Sequence, residues 1–261
     1  MQKTAAMLFL IAAAFARPCA AQTDEIQVYD AEIAAPGIFN LTWHNNFTPK
    51  GIDTVPFPGG VVADHSFNGV TEWAYGVTDW WEQGLYLPLY THDKNLGWGY
   101  NGFKIRELFV VPHAAERKFF YGVNFEFSVN RPRWDDHHLT SEVRPIVGWH
   151  LKPWDIIVNP IFDTAYDGVK NLEFVPAVRV AYNFSEDWAL SAEEYADYGP
   201  IGGFYSPGQQ VHQLYGVVNH NFGTVEIEAG VGLGLTDATD RVALKLLVMH
   251  DFNKKPIRIV R

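Results

Sequence analysis

The sequence predicts an all-β chain that forms a closed antiparallel up-and-down transmembrane β-barrel of about 12 strands, after a cleaved signal peptide. Three observations carry this. Beyond residue 36, apolar and polar residues alternate with a period of two, which sends successive side chains to opposite faces of a strand. The connections between alternating stretches are short and long in turn. Aromatic residues, 15% of the chain, gather near the ends of those stretches. An even number of amphipathic strands with short turns on one side and longer loops on the other is the pattern of an outer-membrane barrel. A soluble sandwich has no reason to sort its connections this way.

Residues 1–21 come first and read as a secretory signal. Lys3 supplies the positive start, Ala5 to Phe15 the apolar run, and Ala20-Ala21 the small residues before a cut ahead of Gln22. Cys19 leaves with the signal, so the mature chain has no cysteine and holds together without disulfides. Residues 22–37 follow as a periplasmic N-terminal segment or a short plug, acidic through Asp24, Glu25, Asp30 and Glu32.

Strands are then expected at 38–48, 67–79, 83–92, 99–112, 118–130, 140–151, 155–163, 171–184, 187–198, 209–221, 224–235 and 241–252. The alternation is cleanest where Phe119, Tyr121, Val123, Phe125, Phe127 and Val129 oppose Gly122, Asn124, Glu126 and Ser128. Residues 171–184 and 224–235 repeat it. Glu107 falls on the apolar face of its strand unless a bulge near Arg106 shifts the register, and Glu194 raises the same difficulty. Pro88, Pro145, Pro160 and Pro176 lie inside strands, where proline belongs at an edge or a bulge. Trp80, Trp81, Phe119, Trp149, Trp154, Phe184, Trp188 and Phe252 mark one girdle. Tyr90, Trp98, Tyr100, Trp134 and Tyr198 mark the other. The barrel spans 38–252, and residues 253–261 form a basic C-terminal tail.

Charge decides which face is inside. Glu72, Lys104, Arg106, Glu126, Glu142, Arg144, Glu173, Arg179, Glu193, Glu226, Glu228 and Lys245 are expected to line the lumen and meet solute, because charge in lipid is costly. Folding the 131–139 loop about its centre sets Glu126 opposite Arg144 and Ser128 opposite Glu142, a cross-strand ion pair. Bases on strands 4, 6 and 8 and acids on strands 9 and 11 occupy different sectors, which predicts a transverse field. Gly230, Gly232 and Gly234 leave room at one wall, supporting an open path. A narrow lumen filled by paired charges is the competing expectation.

Several functions fall away. A net charge of −10 opposes nucleic-acid binding, and no apolar run beyond the N-terminus is long enough for a helical span. No nucleophile elbow, zinc-protease helix, phosphate loop or paired-cysteine motif occurs. Catalytic residues, metal sites and cofactors are therefore expected to be none. A lipid hydrolase would need Ser128 with His150, which stand at opposite ends of adjacent strands, or Ser141 with His137 or His138. Asp135-Asp136-His137-His138 is metal-like in composition but reads as a solvated loop. A third alternative is a structural or surface-binding barrel engaging a partner through loops 131–139 and 199–208.

Two stretches and the closing strand also carry a resemblance. Thr71 to Trp80 (TEWAYGVTDW) and Arg117 to Phe127 (RKFFYGVNFEF) are similar to a group of uncharacterised proteobacterial proteins of outer-membrane transporter type. Val242 to Phe252 (VALKLLVMHDF) resembles the final strand that outer-membrane proteins present to their assembly machinery, although here a basic tail follows Phe252. The resemblance implies the barrel fold and an outer-membrane location, while the lumen charges point to a channel or transporter for small polar or amphipathic solutes. The chain's expected partners are outer-membrane lipid and lipopolysaccharide, the barrel-assembly machinery and a small-molecule solute.

Overall fold

The computed structural model describes residues 25–253. The expected signal peptide, Asp24 and the tail after Asn253 lie outside the described residues. Fourteen strand segments form one antiparallel sheet that closes on itself. Two neighbouring staves are each broken in the middle, so the wall has twelve. They are β1 (Phe39–Lys50), β2 (Phe67–Gly76), β3 (Trp81–Asp93), β4 (Gly97–Val110), β5 (Phe119–Asn130) and β6 (Leu139–Leu151). The rest are β7 (Trp154–Asn159 with Phe162–Thr164), β8 (Glu173–Phe174 with Ala177–Asn183), β9 (Trp188–Asp197), β10 (Val211–Asn221), β11 (Val225–Gly234) and β12 (Val242–Asp251). Each pairs with the next, and β1 pairs with β12 from Asn40↔Asp251 to Lys50↔Val242. Closure removes every unpaired edge, the condition for a sheet in hydrocarbon.

The pleat sorts side chains as the alternation requires. Trp43, Trp73, Leu85, Ile105, Phe127, Leu190 and Leu246 stand exposed on the outer face. Their strand neighbours His44, Glu72, Arg106, Glu126, Ser191 and Lys245 are buried inside. The greasy surface therefore looks outward, where lipid replaces water. Glu107 keeps to that outer face, because β4 and β5 pair without a break from Gly102↔Asn130 to Val110↔Gly122. No bulge rescues it. It sits near the short-turn rim and accepts hydrogen bonds from Trp81 Nε1 at 2.7 Å and Gln83 Nε2 at 3.0 Å. Glu194 is also outward, hydrogen-bonded with His212 Nδ1 at 3.0 Å.

The prolines explain the broken staves. Val143↔Phe162 and Val147↔Val158 place Pro145 opposite Pro160. Phe162↔Phe174 and Ala177↔Asn159 place Pro176 opposite Pro160 on its other side. Three residues without an N–H thus stand side by side on β6, β7 and β8, and ladder pairing lapses there. Pro88 lies where the β3–β4 register shifts between Tyr86 and Leu89.

Short and long connections alternate largely as expected. Loops 51–66, 131–138, 165–172, 198–210 and 235–241 crowd one end. Two connections depart: residues 94–96 make a tight turn at that end, and 111–118 at the other holds a 3-10 turn over Ala114–Glu116. One aromatic girdle rings the short-turn end, where Phe119 and Trp149 lie 5.5 Å apart and Trp188 stacks on His220. At the loop end Trp98 and Tyr100 are exposed, but Trp134 is buried in its loop and does not belong to the girdle.

Candidate functional site

The candidate site is the lumen and its mouth. Residues 25–36 run inside the barrel from the short-turn end, and Ile26, Val28, Tyr29 and Ala31 are buried there. Wall side chains hold this segment by its backbone. Asn159 forms a two-way amide pair with Tyr29, accepting from its N–H at 2.7 Å and donating to its carbonyl at 2.9 Å. Arg144 Nη1 donates to the Gln27 carbonyl at 3.1 Å, and Lys245 Nζ to the Ile26 carbonyl at 3.3 Å. The Ala34 N–H donates to Glu82 at 2.5 Å. The Tyr29 ring lies near two guanidiniums, with Arg144 Cζ 4.4 Å and Arg106 Cζ 5.5 Å from its centroid. Its hydroxyl bonds that of Tyr86.

Two buried ionic networks flank the segment. In the first, Arg106 joins Glu72 at 2.6 Å and Glu82, while His44 Nε2 meets Glu72 at 3.0 Å. In the second, Lys245 joins Glu193 at 2.5 Å and Glu228 at 2.6 Å, and Arg179 meets Glu228 at 3.2 Å and Glu193 at 3.6 Å. Buried charges this close are tolerable only because each is paired and hydrogen-bonded. The bases of β4 and β8 therefore interleave with acids of β2, β3, β9 and β11. The segregated sectors of a transverse field do not form. Glu226 stays half-buried one turn of the pleat below Glu228.

The hairpin between β5 and β6 departs from its expected register by two residues. Glu126 stands opposite Glu142, Asn124 opposite Arg144 and Ser128 opposite Thr140. The cause is local: the Asn130 N–H donates to the His138 carbonyl at 2.8 Å, and Asn130 Nδ2 reaches the His137 carbonyl and Thr140 Oγ1. Those bonds close the loop early. Arg144 instead grips Glu142 on its own strand with two bonds, 2.6 and 3.0 Å, while Lys104 Nζ reaches Glu126 at 3.4 Å.

Above the segment opens a cavity of about 850 Å³. Glu25 and Gln27 contribute to its floor. Ile52 and Phe57 of loop 51–66, Trp134 to His137, Glu173, Asp197 and Asp240 also line it. Loop 51–66 is tied across the mouth, since the Val61 N–H donates to the Arg133 carbonyl at 3.0 Å and the Ile52 N–H to Asp240 at 2.7 Å. Burial pushes the Asp135 and Asp240 carboxyls above the ordinary range.

The expected free space beside the β11 glycines is taken. A Cβ at Gly232 would overlap the Tyr215 ring, and one at Gly230 would stand 2.9 Å from Val217 and 3.2 Å from Lys245. The hydrolase groupings are also dispersed. Ser128 lines the mouth, whereas His150 bonds Asp155 at 2.7 Å near the short-turn end. Ser141 bonds the Tyr166 hydroxyl, His137 lies 2.9 Å from Asp136, and His138 Nδ1 bonds the Asn130 carbonyl. Sequence reasoning missed His44, Glu82, Tyr86, Asn159 and Asp163. Asp163 and Asn159 were findable, since they alternate with outward Val158, Pro160 and Phe162. The glutamate at 82 begins its strand, where a ±2-residue boundary hides the facing.

No family model and no curated protein matches the sequence. Solved structures do. The barrel is similar to the COG4313 outer membrane channel from Pseudomonas putida F1, with a TM-score of 0.60 at 12% identity, covering 87% of this chain and 100% of that one. It is also similar to the KdgM porin, with a TM-score of 0.53 at 8% identity over 82% of this chain and 99% of that one. Identities this low speak of fold alone, and the shared fold is a closed antiparallel outer-membrane β-barrel.

Proposed function

We propose that this chain is an outer-membrane channel for small polar solutes, held shut by residues 25–36 and performing no covalent chemistry. The observation that carries the reading is a cavity of about 850 Å³ lined by charged wall residues and floored in part by the chain segment of residues 25–36. A barrel serving only as a scaffold gains nothing from a wetted, charged interior, since buried ion pairs add little stability over apolar packing. Solute contact is assigned to Lys104, Glu126, Glu142, Arg144 and Glu173, which line the cavity. Glu72, Arg106, Arg179, Glu193, Glu228 and Lys245 are assigned to holding the segment. The outer face fits lipid and lipopolysaccharide, and β12 fits the assembly machinery.

The solved KdgM structure is a complex with oligogalacturonate, a polyanion. The mouth here is lined by Asp135, Asp136, Asp163, Asp167, Asp197 and Asp240, which repel such a solute and favour neutral or cationic ones. Purified protein in planar bilayers should show small conductance steps, enlarged when residues 25–36 are deleted. Silence of both forms in repeated insertions would refute the channel reading.

A further inference from the structure

The floor of the mouth cavity holds an arrangement that no fold requirement explains. Glu126↔Glu142, Glu142↔Asp163 and Asp163↔Glu173 are direct cross-strand partners. Four carboxylates thus stand in one row on β5, β6, β7 and β8, all facing inward. Like charges placed directly opposite destabilise a sheet. Arg144 offsets Glu142 and Lys104 offsets Glu126, but among the described residues neither Asp163 nor Glu173 has an ion-pair partner.

A second observation is independent of the row. Glu25, carried by the segment inside the barrel, has a side chain 2% exposed. Neither of its carboxylate oxygens has a hydrogen-bond partner, although both are buried. The nearest cation is Arg144 at 3.6 Å, already engaged twice by Glu142. A buried carboxylate without a donor is costly. It borders the same cavity as the row, so a ligand there can supply the missing N–H.

The spacing decides which cation fits. Neighbouring strands stand about 4.8 Å apart, so the row extends over roughly 15 Å of wall. Among the described residues, the one acidic and imidazole group close enough to share an ion is Asp135, Asp136 and His137, on the loop above. The row does not converge on a point as ligands of a dehydrated metal must. Separated carboxylates instead match ammonium groups separated along a chain, each bringing three N–H donors.

We propose that the cavity floor binds an extended aliphatic oligoamine, with Glu25, Asp163 and Glu173 accepting from its successive ammonium groups. The inference deepens the channel reading and rests on it for the route of the solute; binding itself needs only the cavity. Calorimetry on the full-length protein in detergent, with spermidine as probe, tests it. Spermidine should bind one per barrel, and butylamine at least tenfold more weakly. Asp163→Asn with Glu173→Gln should weaken spermidine at least tenfold, whereas Glu116→Gln, on a turn at the opposite end, should change nothing. If the double variant loses its heat-modifiable barrel, Glu25→Gln decides, with several-fold weaker binding expected. Absent heat, equal binding by these variants, or displacement of spermidine by stoichiometric Mg²⁺ overturns the proposal. Bilayer recordings separate the two ideas. A silent barrel that still binds spermidine overturns the channel and keeps the site; a conducting barrel that neither binds nor is blocked by spermidine does the reverse.

Discussion

Near the short turns the inner face of β4 to β8 is dry, whereas near the loops the same strands line a charged cavity. In the dry half Leu108, Val110, Phe120, Ile146 and Ile157 project inward and pack against Val28, Tyr29 and Ala31. In the wet half the inward positions of the same strands carry Lys104, Glu126, Ser128 and Glu142. Strand pleat and lipid-facing residues are alike in both. The difference lies in a filler that is not part of the wall. Where residues 25–36 supply apolar surface the wall answers with apolar surface, and where they end the wall turns acidic. Alternation settles which face meets lipid, but whether the other face is dry depends on what enters it.

The belt between the halves is where this contrast breaks most easily. Lys245 is fully buried between Glu193 and Glu228 and also holds the Ile26 carbonyl. Lys245→Met leaves two buried carboxylates sharing Arg179. It should cost about 3–5 kcal/mol, the usual penalty for removing one partner of a buried pair. Urea unfolding of the reconstituted barrel measures it, and a loss below 1 kcal/mol would mean the belt is already hydrated.

Tyr29 comes next. Its ring fills the space between Arg106 and Arg144 and is 4% exposed. Tyr29→Ala should cost about 3 kcal/mol in the seating of the segment, by analogy with other buried aromatic truncations. Hydrogen exchange over residues 25–36 should rise while exchange in β9–β12 stays constant. Uniform loss of protection would show that the segment and wall are one cooperative unit, and that no separate plug exists.

Legibility in the sequence followed the same boundary. Twelve staves, their facing and the trouble at Pro145, Pro160 and Pro176 were readable, because pleat and missing N–H groups are local properties. Burial of Ile26 and Val28 was not, since a segment with no strand pairing leaves no periodicity to read. The contacts that seat the segment come from Asn159, Arg144 and Lys245, which lie far away in sequence. The expected Glu126–Arg144 pair failed for a smaller reason. Loop 131–138 is closed by Asn130 side-chain bonds that symmetry about its centre ignores, and two residues of slip exchange a salt bridge for facing carboxylates. The transverse field failed because ion pairs reach across β8, β9 and β11. Strand order alone does not reveal how far a long base extends.

Gly232 tests whether the wall near β11 is as full as its contacts imply. Gly232→Ala would press a methyl into the Tyr215 ring and should cost about 1–3 kcal/mol, as overpacking does. Gly216, with nothing near its Cβ position, should accept alanine within about 0.5 kcal/mol. Equal effects at the two sites, read from denaturant midpoints, would mean Tyr215 swings aside.

The mouth should give the smallest effect and one that depends on pH. Asp240 accepts the Ile52 N–H that ties loop 51–66 down, yet burial raises its carboxyl above the ordinary range. A carboxyl raised on folding stabilises fully below its unfolded value of about 3.9 and loses that contribution as pH climbs through the folded value. The loop should therefore loosen from mildly acidic pH toward neutrality. Asp240→Asn keeps an acceptor for Ile52 and removes the charge, so protection of the Ile52 amide at pH 7 should rise by about 0.5 kcal/mol. Near pH 3 the two proteins should match. Weaker protection of the variant at pH 7 would show that the charge strengthens this bond more than burial opposes it. The acidic mouth would then be held closed by its own carboxylates.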